Sequence, residues 1–258
     1  MISFLIKKSF FDAWDHLFGI ILMNIGFILC LGLMIFLPSL VEGSSTLLMA
    51  ICLIPGFFIG HIFAGIASVL LLEVSDYKSI SWNQLKNGLF KTWKVSIFVG
   101  FINSLFLLAV IIGIPFYLSM GSFVGLAGAS VIFWVAIFWL SLVQYFFPIL
   151  IRMDGGIKVS LKKSALVALD NPGFSLFTLL FSIILFLLSA VLVFLLPGVG
   201  AVLLFQQDAF KLRLYKYDWL EEHPELKGEK IPWTELLEED KENIGPRSLR
   251  GMIFPWKD

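Results

Sequence analysis

ISWNQLKNGLFKTWKVSIFVGFINSLFLL, residues 80–108, joins an amphipathic segment directly to an apolar run of membrane-crossing length. In its first half Trp82, Leu85, Leu89 and Trp93 recur every three or four residues, while Asn83, Lys86, Asn87, Lys91 and Lys94 fill the other face. That pattern predicts a helix lying flat in the membrane interface. From Ser96 the polar face disappears, and residues 97–118 are apolar enough to serve as a span. Crossing a hydrocarbon core of roughly 30 Å takes about 20 such residues. Variants of the unit occur three times and organise the chain.

The composition agrees with this reading. Hydrophobic residues fill 59% of the 258 positions and charged residues 15%, with 27 phenylalanines and a mean hydropathy of +0.92. A soluble domain of this length could not bury so much apolar surface, so the lipid bilayer is the first expected partner. The formal net charge is zero, which offers no electrostatic footprint for nucleic acid, and no such partner is expected. Cys30 and Cys52 both lie in apolar runs, where free thiols behave as small hydrophobes. They predict neither a disulfide framework nor a metal site, and no cofactor is expected.

In chain order, residues 2–15 form an amphipathic lead-in and 17–37 the first span, which Pro38 ends. Lys7 and Lys8 precede an apolar run as in a secretory signal, but Asp12 and Asp15 interrupt the approach and the run is too long, so it reads as an uncleaved span. The run 47–72 carries Pro55 and Gly56, predicting a kink or break and placing the second span at 56–72. Residues 97–118 form the third span and 124–151 the fourth, whose excess length tilt or an early re-entrant turn would absorb. A further amphipathic connector, 152–171, leads past Pro172 into the fifth span, 174–196, and Pro197 and Gly198 precede a short apolar stretch, 199–205.

Counting that stretch as a sixth span puts all 19 lysines and arginines on one side, which the positive-inside rule makes cytoplasmic. With five spans, Lys211, Arg213 and Lys216 would lie outside. The expected fold is therefore an all-α polytopic protein of the plasma (inner) membrane, with both termini cytoplasmic. Its six transmembrane helices form three hairpins, each preceded by an interfacial amphipathic helix. A membrane domain covers residues 1–216 and an acidic, aromatic cytoplasmic tail 217–258. Superposing Trp14 on Trp93 brings Asn24 onto Asn103 and Phe11 onto Phe90, the mark of a repeat.

His61 lies well inside the second span, where an ionisable residue is a functional candidate. An imidazole satisfied by a partner on another helix is the plainer reading. Gly56, Gly60, Ala64 and Ser68 run beside it at four-residue intervals, as do Gly121, Gly125 and Ala129 at the start of span four; such stripes let helices approach closely. Asn24, Asn103 and Gln144 are the other polar residues at depth. With His61 they would either line a polar path or join helices by hydrogen bonds. Asp208, with Lys211 three residues on, predicts a local ion pair, and Glu73 and Asp76 read as ordinary interfacial carboxylates. No phosphate-binding loop, HExxH, cysteine cluster or Gly-x-Ser-x-Gly occurs, so no enzyme activity is expected. In the tail, Ile253, Phe254 and Trp256 are costly to leave in water. Residues 247–256 are therefore expected to fold back into a groove between 80–93 and 157–169, with Arg247 and Arg250 near the anionic lipid surface or Asp154 and Asp170 and the acidic run 235–242 in solvent; the competing reading makes these aromatics a handle for a cytoplasmic partner.

The lead-in helix, the span with a central asparagine, the Pro-Gly entry to span two and the 80–93 segment together resemble the YesL-like membrane proteins. The exit of span four, YFFPILIR at 145–152, and the connector 162–171 carry the closest match. The likeness covers residues 10–217, and the topology is similar to other six-span families, including the membrane domain attached to some glycerophosphodiester phosphodiesterases. It implies a non-enzymatic accessory or scaffold component linked with carbohydrate uptake through an ABC-type complex. A small-solute transporter or channel is the alternative.

Overall fold

At two of the three joins between an amphipathic segment and an apolar run the helix is interrupted, and at the third it continues. A computed structural model describes residues 1–43, 45–81, 83–153, 155–226 and 229–248, apart from the side chains of Thr46, Leu47 and Ala50. Helices α1 (Ile2–Asp15) and α2 (Leu17–Ser39) are separated by His16 alone, at φ −113°. Helices α8 (Gly156–Asp170) and α9 (Pro172–Val191) part at Asn171, which the following proline pushes out of the helical region, to φ −134° and ψ 60°. Between Trp93 and Ile97 there is neither glycine nor proline. Helix α4 (Gln84–Leu108) accordingly runs straight through, and continues by a π segment, Ala109–Gly113, into α5 (Ile114–Ser119).

The expected separate interfacial helix at 80–93 is thus corrected: its residues from Gln84 on form the opening turns of a continuous 36-residue helix. Trp82 lies outside the described residues. Leu85, Leu89 and Trp93 are exposed, and the buried face is instead Gly88, Thr92, Ser96 and Gly100, packed on α3. Helix α3 (Thr46–Ser75) is also unbroken, with Pro55 inside it and Ser45 accepting the Leu48 N–H at its start. Of the kink or break expected at Pro55, the break does not occur.

The excess length of span four is absorbed late, not early. Helix α6 (Phe123–Val143) ends at Gln144, and α7 (Phe146–Met153) follows as a short buried segment. Pro148 has no N–H to offer the Gln144 carbonyl, so the corner falls there. Helix α9 stops at Val191, short of the expected 196, in a turn where Val193 and Phe194 have φ 53° and 59°. Helix α10 (Gly198–Glu222) returns antiparallel beside α9 and crosses the expected domain boundary at 216. A 3-10 turn (Pro224–Leu226), α11 (Trp233–Leu236) and α12 (Glu238–Ile244) complete the described chain, with no strand among the described residues. Five helical stretches are long and apolar enough to cross a membrane; residues 199–205, inside α10, are not among them.

The tightly packed core gathers at one end of the bundle around α10. Leu204 joins Ile20, Met23 and Leu70 of α2 and α3. Phe205, Ala209 and Leu212 meet Leu5, Phe174 and Leu237, and Phe210 meets Tyr145, Ile149 and Val167. Toward the other end side chains lie open: between 101 and 128 only Gly125 is buried, as expected where lipid supplies the packing. The glycine stripe of α3 serves close packing as read. A methyl group at Gly56 would strike the backbone of Met34, and Gly60 sits over Cys30.

Candidate functional site

A helix C-terminus leaves carbonyls unpaired and carries the negative end of the helix dipole. At the end of α3 both needs are met by cations from three distant parts of the chain. The Ser75 carbonyl accepts from Lys8 Nζ of α1 and from Lys211 Nζ of α10, each at 3.0 Å. Arg152 of α7 grips both oxygens of the next residue, Asp76, at 3.1 and 3.2 Å, and reaches Ser75 Oγ at 3.3 Å. Tyr77 lays its ring beneath both lysines, 3.9 Å from Lys8 Nζ and 4.7 Å from Lys211 Nζ, close enough for cation–π attraction.

The carboxylates complete this hub. Lys8 lies 2.5 Å from Asp12 and 3.4 Å from Asp208, and the Lys8 and Asp208 side chains are both 0% exposed. Lys211 lies 3.3 Å from Asp240 and 3.7 Å from Asp76. Charges this deep persist only when paired. Asp12 and Asp208 both face the fully buried Lys8 ammonium, so burial favours a proton on one of these two carboxyls. Burial, with the Asp208 charge adding and Lys8 opposing, pushes Asp12 up to about 8. Burial likewise raises Asp208. For Lys8, burial acts downward, but Asp208 and Asp12 outweigh it and hold the ammonium above its ordinary value.

This arrangement corrects three expectations. Asp208 pairs across helices with Lys8, a partner that its burial demands and that a local pair in water would not need. Asp76 is no ordinary interfacial carboxylate. The acidic run 235–242 is not wholly in solvent, because Asp240 is 2% exposed while Glu235, Glu238, Glu239 and Glu242 stay outside. Leu237 and Ile244, each 2% exposed, anchor the same segment. Arg247 pairs with Asp15 at 2.7 Å and lies over the Phe11 ring. The expected docking residues Ile253, Phe254 and Trp256, with Arg250 and Asp154, lie outside the described residues.

The candidates at membrane depth fall into separate sets. Asn24, 1% exposed, donates to the carbonyls of Leu195 and Pro197 and accepts the Gly200 N–H, at 2.9, 2.9 and 2.8 Å. It thereby satisfies backbone groups of the turn that opens α10. Gly198, at φ 70°, faces it so closely that any Cβ would overlap the carboxamide. Ser189 Oγ accepts the Gly198 N–H. Gln144 donates to the Ser141 and Ser175 carbonyls, tying the α6–α7 corner to α9.

His61 and Asn103 do meet, at 3.1 Å between Nε2 and Nδ2, and Trp139 Nε1 donates to Asn103 Oδ1 at 2.9 Å. His61 Nδ1 lies 3.0 Å from the Phe57 carbonyl; since a carbonyl only accepts, Nδ1 carries the proton and Nε2 accepts from Asn103. Of the five candidates only these two are brought together. Asn24, Gln144 and Asp208 each hold other partners.

Lys8, Asp12, Arg152, Asp240 and Trp139 were not singled out as site residues from sequence, and Lys211 only as a local partner of Asp208. A signal for Lys8 and Asp12 exists: they share the helical face of Leu5, which is buried, at spacings of three and seven. Among the described residues the chain is thus all-α, with five helical stretches of membrane-crossing length and a buried charge hub at one end. No family model, curated protein or solved structure matches it.

Proposed function

We propose that the protein is a non-enzymatic scaffold or accessory component of the plasma (inner) membrane, serving a solute-uptake assembly of the ABC type. The observation that supports this best is the use made of polar side chains at depth. Asn24, His61, Asn103 and Gln144 are engaged with neighbouring helices or turns, which is how a bundle is held and not how a continuous polar conduit is lined. The link to carbohydrate uptake rests on the resemblance to YesL-like proteins alone. In this reading α9 and α10 form the third hairpin, with 199–205 as a short sixth crossing. The meeting of Lys8 with Asp208, and of Lys8 and Lys211 on one carbonyl, supports an even number of crossings with both terminal regions cytoplasmic.

Purification in mild detergent from its own cell should yield the protein with a defined set of membrane-complex subunits. A solute carried by the purified protein alone in liposomes, and lost with His61→Ala, would overturn the reading in favour of a transporter. One observation favours that second reading, a recess of about 340 Å³ beside His61 and Asn103.

A further inference from the structure

We infer that this recess is a binding site for a neutral, membrane-soluble lipid bearing a single hydroxyl or carbonyl oxygen. The recess lies between α3, α4, the π segment and α6, and its volume of about 340 Å³ falls in the range of small-ligand sites. One wall is flat: the Phe106 and Trp139 rings stack at 4.6 Å between centroids and 6° between planes. Across the recess, Phe57 and His61 hold their rings 4.4 Å apart. Leu107 and Leu140, 51% and 43% exposed, stand at the rim. On helices of this kind that rim faces hydrocarbon, and a ligand enters sideways from the bilayer.

The polar floor defines the ligand's chemistry. Trp139 donates to Asn103, Asn103 to His61, and His61 to the Phe57 carbonyl. Both imidazole nitrogens are therefore occupied in the neutral form. What remains is the second Nδ2–H of Asn103 and one lone pair on its Oδ1, enough for one oxygen. No Asp, Glu, Lys or Arg lines the recess, so a charged solute would lose its hydration without gaining a partner. Asn103 lies six residues beyond Ile97, about 9 Å into the apolar run, below the level of phospholipid headgroups. The π segment adds an independent sign. Val110 lines the recess from within Ala109–Gly113, and such one-turn irregularities concentrate at functional sites.

The test uses the whole protein in phosphatidylcholine vesicles with a long-chain alcohol carrying a diazirine, photolysis and peptide mapping. Labelling of the peptides holding Phe106, Leu107 and Trp139 should saturate. Unlabelled alcohol should compete at about five- to tenfold lower concentration than the matching alkane, the worth of one hydrogen bond. Asn103→Leu should erase that difference while labelling persists. Should that variant not fold, Ala136→Leu, which fills the recess, should remove the saturable labelling at unchanged thermal stability. Equal competition by alcohol and alkane, or labelling that grows linearly on all lipid-facing helices, overturns the proposal.

Discussion

Removing the Asn24 carboxamide would leave two carbonyls and the buried Gly200 N–H without their partner at the start of α10. Unpaired buried groups cost about 1–3 kcal/mol each in water-soluble proteins, but interhelical bonds in membranes average nearer 0.6. Asn24→Ala should therefore destabilise by about 2–4 kcal/mol, seen as a lower melting temperature in detergent. Asn103→Ala, at a recess open to a ligand, should cost about 1 kcal/mol. Equal losses would show that the turn does not depend on Asn24. The sequence register that aligned Asn24 with Asn103 located both residues, yet their partners differ. Periodicity reports which residues lie at depth. It carries nothing about a turn 171 positions away.

Among the elements, the segment α11–α12 is held by a few side chains. Leu237 packs with Leu5, Phe205 and Leu212, and Asp240 reaches Lys211. Leu237→Ala should weaken docking by about 2–4 kcal/mol and speed hydrogen exchange through residues 233–244 while α9 keeps its protection. Unchanged exchange in the segment would mean that its contacts do not hold it. The expected anchors Ile253, Phe254 and Trp256 lie outside the described residues; among the described ones Leu237 and Ile244 anchor the acidic run itself. Charge density concealed Leu237 and Ile244, whose spacing of seven marks one helical face. Helix boundaries divided in the same way. Pro172 stopped a helix as read, whereas Pro55 did not, because a proline inside a membrane helix removes one bond that neighbours can compensate.

For the whole molecule, the hub ties stability to pH. A carboxyl whose pKa rises on folding binds protons in the native state that the unfolded chain lacks between the two values. Stability is then full below the unfolded pKa and falls as pH rises through the folded one. For Asp12 the window runs from 3.8 to about 8. Melting temperature in detergent should decline from pH 5 to pH 9, and Asp12→Asn should flatten that decline; a wild-type profile that rises instead would refute the shared proton. Topology has its own check. With Cys30 and Cys52 replaced, Ser39→Cys and Ser122→Cys should react with an impermeant thiol reagent in intact cells, and Ser79→Cys and Ser248→Cys only after lysis. External reaction at Ser248→Cys would contradict the six-crossing arrangement.

The convergence on the end of α3 also orders biogenesis. Ser75 waits 136 residues for Lys211 to be synthesised, and Asp240 follows later still. Apolar helices can enter the bilayer one after another as they leave the ribosome, but Lys8, Asp76 and Arg152 must remain hydrated until α10 arrives. Insertion and locking are consequently distinct events. Lesions in the hub should yield chains that are correctly inserted yet never locked, a form that membrane quality-control proteases would clear without any fault in translocation.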